Sequence, residues 1–297
     1  MTILPTDPAL HVEGFFDTAT STVTWLVLDP ASHRCAVVDS VLDYDAKSGR
    51  TSSAGAQRLL ARIAELGATV QWILETHLHA DHLSAAHWIK ERVGGAVGIG
   101  RRITDVQRVF GKLFNAGPAF AADGSQFDHL FDDGETFAIG TVHATALHTP
   151  GHTPGCMTFV VPGRDHSFAF IGDTLFMPDY GSARCDFPGG DAAALYRSIR
   201  RVLSLPDDTL LCLCHDYPPG ERELSFASTV AEQRAANIHA RDGIGEAEFV
   251  AMRMARDATL AEPQLLLPSV QVNMRAGALP EPEGNGVRYL KIPLDAL

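Results

Sequence analysis

The seven residues Thr76-His77-Leu78-His79-Ala80-Asp81-His82 constrain this chain more than any other stretch, because they put three imidazoles and a carboxylate side by side. Such a set supplies nitrogen and oxygen donors suited to a borderline divalent metal. It follows TVQWILE (69–75), which reads as a β-strand, and precedes a helical pattern over about 84–93 that stops at Gly94-Gly95. A strand end turning into a helix releases side chains from sheet alternation, so they can converge on one point. A solvated helix cap, with Thr76 or Asp81 capping, is the alternative reading of the same residues.

Three further groups sit in comparable places. His152 lies in TPGHTPG (149–155), where two prolines and two glycines enforce a tight loop. Asp173 ends the apolar run SFAFIG, a costly place for an unpaired carboxylate. His215 follows TLLCLC in the same way. Taken singly, each is better explained as a core or capping residue. Four strand-end donor groups in one chain favour a shared metal centre.

The rest of the pattern suits an α/β architecture. Strands are predicted at 22–28, 34–39, 96–99, 136–139, 142–147, 156–161, 167–172 and 209–214, and helices at 54–66, 191–203, 228–239 and 246–257. In α/β folds the sheet holds strand-end loops rigidly, which is why sites gather there. No internal repeat or linker divides the chain, so residues 1–297 read as one domain. Its core spans about 10–217, and a helical and irregular extension, Pro-rich at its end, spans about 218–297.

Composition excludes some partners. Asp and Glu outnumber Lys and Arg by 36 to 24, and a formal charge of −12 repels nucleic acid and anionic membranes. No apolar run approaches the roughly 18 residues of a membrane span. The start, MTILPTDPALHVEG, lacks the basic-then-apolar pattern of a secretory signal. Five scattered cysteines do not form a disulfide framework, and a reducing cytoplasm is the expected location. Cys212 and Cys214 face one side of a strand; a buried apolar role outweighs a second metal pair. The other eight histidines (11, 33, 87, 129, 143, 148, 166 and 239) have no ligand spacing and read as surface or satisfied core residues.

These motifs in this order resemble the metallo-β-lactamase superfamily, an αββα sandwich with its metals at one edge between two sheets. Within it, ETHLHADHLSA, LHTPGHTPGCMTF, GDTLFMPDYGSARCDFPGGD, LPDDT…CHDY and LPSVQVNMRAGALPEPEGNGVRYLKIPL are similar to glutathione-dependent persulfide dioxygenases of the bacterial type. Animal and plant members read Gly-Arg-Thr-Asp-Phe where this chain has Ala183-Arg184-Cys185-Asp186-Phe187.

The resemblance implies one Fe(II) per chain on His77, His152 and Asp173, with His79, Asp81, His82 and His215 as catalytic groups orienting ligands and waters. It implies glutathione persulfide and O2 as substrates, and the related enzymes often form homodimers. Glutathione carries two carboxylates, so Arg184 is the first candidate for binding it, with Tyr180, Tyr217, Arg275 and Lys291 behind. For these four a surface or packing role is equally consistent, and for Cys185 an inert loop thiol outweighs a redox one.

The same seven ligands also suit two Zn(II) per chain in a thioester hydrolase of the glyoxalase II type. His77, His79 and His152 would then hold one ion, Asp81, His82 and His215 the other, and Asp173 would bridge. The 179–188 loop and the NMRAG-containing tail favour the dioxygenase. No ligand is missing, which argues against a non-catalytic binding module.

Overall fold

In the computed structural model, which describes residues 2–4 and 7–296, alternation along the strands sorts side chains to two faces and thereby builds four layers. The first sheet runs in the order Thr2–Ile3, His11–Asp17, Thr22–Asp29, Arg34–Val38, Thr69–Leu74, Ala96–Gly100, His129–Phe131. The second runs Glu135–Ile139, Val142–His148, Met157–Pro162, Ser167–Phe170, Leu210–Cys212, Ala227–Thr229. Odd positions such as Trp25 and Val27 on one sheet meet Phe159, Phe168 and Phe170 of the other, forming the central core. The Trp25 indole N–H donates to the Leu213 carbonyl at 2.9 Å and ties the two sheets together.

The alternate positions face outward and are covered by helices. Leu26, Leu28, Cys35, Val37 and Ile73 pack under helices Ala54–Glu65, Ala86–Val93, Ile103–Leu113 and Leu266–Asn273. Ala169, Leu211 and Leu213 pack under Ala192–Val202, Val230–Ala236 and Glu246–Asp257. This is the expected αββα sandwich. Cys212 lies in the central core, as its apolar reading anticipates.

Several elements differ from the sequence reading. The strand His11–Asp17, the hairpin Val41–Asp45 with Arg50–Ser52, and the helix Ile103–Leu113 were not predicted. HVEGFFD breaks strict alternation, with Gly14 facing the Trp25 ring where a Cβ would sit only 3.1 Å from it. ITDVQRVFGKL mixes β-branched residues and a glycine into an otherwise helical spacing. Within the Pro-rich tail, Leu266–Asn273 is helical because Pro268 falls in the first turn, where its missing N–H has no helical acceptor. The C-terminal residues therefore complete both outer layers. Phe249 is fully buried in one and Val272 in the other.

Candidate metal centre

Strand ends from both sheets meet at one edge. Thr69–Leu74 leads into the 76–82 loop, Val142–His148 into the His152 loop, Ser167–Phe170 into Asp173 and Leu210–Cys212 into His215. Gly151 has φ +140°, and a Cβ there would lie 2.3 Å from the backbone of Leu195. The His152 loop can thus sit flush on helix Ala192–Val202, where Ser198 Oγ donates to the Pro150 carbonyl at 2.6 Å. Gly172 has φ +50° with Thr76 Oγ1 only 2.6 Å from its would-be Cβ, which brings Asp173 against the His77 loop.

The ligand atoms of His77, His152 and Asp173 all lie within 4.8 Å of one another. Asp173 Oδ2 is 3.7 Å from His152 Nε2 and 4.0 Å from His77 Nε2. Its other oxygen is 3.4 Å from His215 Nε2, which is also 3.2 Å from Asp81 Oδ2. His79 gathers with Asp81 and His82 on one side and with Asp39 and Glu75 on the other.

Hydrogen bonds fix the rings. His152 Nδ1–H donates to the Arg184 carbonyl at 2.7 Å and His215 Nδ1–H to the Ser21 carbonyl at 3.1 Å. Carbonyls only accept, so each ring turns a bare Nε2 toward the cluster. His77 Nδ1 bonds Thr76 Oγ1 at 3.0 Å, and that hydroxyl donates to Asp39 Oδ2 at 2.9 Å. His79 is reversed: Nε2–H donates to Asp39 Oδ1 at 2.9 Å and lies 3.2 Å from Glu75, leaving Nδ1 to face inward.

His77 Nε2, His79 Nδ1, His82 Nε2, His215 Nε2 and Asp173 Oδ1 are all buried without a hydrogen-bond partner. Buried polar atoms are nearly always paired, so five orphans converging on one edge fit a metal ion. The electrostatics agree. Burial, together with the neighbouring imidazoles, holds His77 well below the usual histidine range and hence neutral. Burial alone would raise the Asp81 carboxyl, but His215 and His82 outweigh it and keep Asp81 ionised. Burial opposes a charge on His79 too, yet Asp39 and Glu75 raise its proton affinity well above the usual range.

A cavity of about 180 Å³ opens onto Asp81, His152 and Asp173. Phe176, Phe187, Leu260 and Pro263 form apolar walls, and Tyr180, Tyr217, Arg184, Arg253 and Arg256 contribute polar groups. Tyr217 stacks on His215 at 5.5 Å and packs against Tyr180 at 4.9 Å. Burial, with Asp81 and Asp173 nearby, pushes its phenol far above the ordinary range, so it stays an O–H donor.

The family model for the metallo-beta-lactamase superfamily matches residues 18–215. The chain belongs to the metallo-beta-lactamase superfamily. It is 66% identical to a probable metallo-hydrolase of Burkholderia pseudomallei, over 97% of this chain and all of that one. It is 47% identical to Glyoxylase B2 of Dictyostelium discoideum, covering 96% and 97%, and 31% identical to the human mitochondrial persulfide dioxygenase ETHE1, covering 88% and 87%. The chain spans only 65% of the beta-lactamase hydrolase-like proteins of Xylella fastidiosa and Agrobacterium fabrum. Among solved structures, ETHE1 from Myxococcus xanthus superposes with a TM-score of 0.70 at 27% identity, over 90% of this chain and 99% of that one.

The structure brings His77, His79, Asp81, His82, His152, Asp173 and His215 to one edge of the sandwich. The substrate-contact candidates divide. Tyr180 and Tyr217 line the cavity. Arg184 also borders it, but its guanidinium forks onto Asp186 at 2.6 and 2.7 Å and donates to the Ala261 carbonyl at 2.7 Å. Arg275 and Lys291 line a separate groove with Phe120 and Tyr289. There Arg275 donates to the Gln271 carbonyl and Lys291 to the Asn115 carbonyl, each at 2.6 Å. The tail carrying them meets Asn115 and Phe120, just beyond helix Ile103–Leu113, a placement no local pattern reveals.

Two cysteines near the site are buried and hold their protons. Cys185 Sγ–H donates to Asp257 at 3.3 Å, and burial with that carboxylate pushes its thiol up to about 12. Cys214 shares reach with Asp173 and His215, but burial and three nearby carboxylates hold its proton on. Sequence reasoning missed Asp39, Glu75 and Asn273. The first two were findable, since both are acids ending apolar strands, RCAVVD and TVQWILE, like Asp173.

Among the described residues, no helix is long and apolar enough to cross a membrane.

Proposed function

We propose that this protein is a persulfide dioxygenase that holds one Fe(II) on His77, His152 and Asp173. In the overall reaction glutathione persulfide, O2 and water give glutathione, sulfite and two protons. The outer sulfur is oxidised and the S–S bond breaks, O2 takes the electrons, and water supplies the third sulfite oxygen. The observation that carries this reading is the trio of two imidazoles and one carboxylate within mutual reach, His77, His152 and Asp173. Iron held by these three residues would supply the redox chemistry that joins O2 to the substrate sulfur. The 31% identity to a persulfide dioxygenase over most of both chains supports the same reading.

The chain's own residues then have definite tasks. Arg184 O and Thr76 Oγ1 hold the His152 and His77 rings so that Nε2 faces the reactants. Phe176, Phe187 and Leu260 keep bulk water from the sulfur. Tyr217 donates its O–H to negative charge on sulfur or oxygen. His215 Nε2, beside Asp81, is placed to accept the persulfide proton. His79 and His82 orient the waters and ligands around them.

A second reading is a binuclear zinc thioester hydrolase. Its support is the second donor group of His79, Asp81 and His82, with His215 Nε2 lying 3.2 Å from Asp81 and 3.4 Å from Asp173, together with the 47% identity to Glyoxylase B2. Metal analysis of anaerobically purified protein, with O2 uptake on glutathione persulfide, separates the two. The dioxygenase shows one iron per chain and O2 uptake abolished in His152→Ala. Two zincs per chain, with thioester hydrolysis and no O2 uptake, would replace it with the hydrolase.

A further inference from the structure

Three arginines line the cavity, and their partners differ. Arg184 is neutralised by its fork onto Asp186. Arg253 is buried, pairs with Asp257 at 2.6 Å and donates to the Ser182 carbonyl at 3.0 Å. Arg256, in the last turn of helix Glu246–Asp257, is exposed and has no anionic partner among the described residues. Its guanidinium carbon lies 6.0 Å from the Tyr180 ring centre, so the side chain leans over the cavity wall. Favourable interaction with the helix C-terminus explains a cation at this position in the chain but not its lean across the mouth.

Size and charge then decide what this group meets. A cavity of about 180 Å³ is smaller than the roughly 300–1,000 Å³ clefts that enclose a drug-sized ligand. It accommodates the sulfur end of a glutathionyl substrate and leaves the charged ends at the rim. The protein carries a formal charge of −12, so a peptide with two carboxylates gains affinity from a local unpaired cation.

We infer that Arg256 is the carboxylate anchor of the substrate, a role the sequence assigns first to Arg184. Arg184 and Arg253 instead position the cavity wall. The inference rests on the glutathione reading above, and it serves the persulfide and the thioester equally because both carry the same peptide.

The test is calorimetric titration of the purified full chain with glutathione and with its diethyl ester, in wild type and Arg256→Gln. Wild type should bind glutathione about tenfold more tightly than Arg256→Gln does. Blocking both carboxylates should cost wild type the same factor and the variant nothing further. Steady-state assays of the variant should show a raised KM and an unchanged kcat, with an unchanged melting temperature. Equal glutathione affinity in wild type and variant would overturn the anchor and leave the glutathione reading standing. Wild-type protein that binds no glutathione would overturn both.

Discussion

Asn273 and His79 are 194 positions apart, yet the Asn273 side-chain amide donates to the His79 carbonyl at 2.8 Å. The same nitrogen donates to the His82 carbonyl at 2.8 Å, and Asn273 Oδ1 accepts the Ser84 N–H at 2.8 Å. One buried amide from the C-terminal tail therefore pins the whole metal-ligand loop, which is the physical content of the NMRAG stretch.

Asn273→Ala would leave three buried backbone groups unpaired, a loss of about 3 kcal/mol. Asn273→Asp keeps the acceptor but sets a carboxylate against two carbonyls. Both variants should melt earlier and retain less than half the metal after dialysis, measured by thermal unfolding and elemental analysis. Full metal retention in both would show that the loop needs no such clamp.

Asp39 orients two rings of the cluster at once, His79 directly and His77 through Thr76. Removing a partner of this kind commonly weakens metal binding by about 10–100-fold. Chelator competition on Asp39→Asn should show a loss in that range with the fold intact. An unchanged affinity would mean the rings hold their orientation unaided.

Arg184→Lys discriminates a wall-building role from substrate binding. Lysine cannot reproduce the fork onto Asp186 together with the bond to Ala261. The expected outcome is a stability loss of about 2 kcal/mol by denaturant unfolding, with glutathione affinity changed less than in Arg256→Gln. Stability like wild type with lost affinity would return Arg184 to the substrate.

His239 makes the fold sensitive to mild acid. Its Nδ1 accepts the Ser182 N–H at 3.0 Å, and burial followed by Arg253 and Arg256 lowers its pKa to about 4. The unfolded imidazole takes a proton near 6.5 and the folded one does not. The stabilising contribution is therefore complete above pH 6.5 and is lost as pH falls toward 4. Denaturant midpoints at pH 7 and pH 5 should converge in His239→Asn relative to wild type. An identical drop in both proteins would assign the acid sensitivity elsewhere.

Much of the architecture was legible because apolar alternation and helical spacing are local properties. TVTWLVL, RCAVVD and TLLCLC declare strands buried on both faces, and the histidine motifs declare their own loops. Elements with mixed signals, such as Ile103–Leu113 and Leu266–Asn273, were lost because burial against the first sheet overrides weak propensity there. Asp39 and Glu75 went unread although their strand-end placement matches that of Asp173.

The sequence by itself determined which side chains can bind a metal, because donor type and loop chemistry are written in the residues. It also determined the layered α/β class, since the period of the apolar pattern selects the element. Only the tertiary structure decided which arginine stays free, which carboxylates hold His79 and which tail residue secures the ligand loop. Those outcomes depend on contacts between residues as much as 194 positions apart, and pairing at that distance is settled by packing rather than by any local pattern.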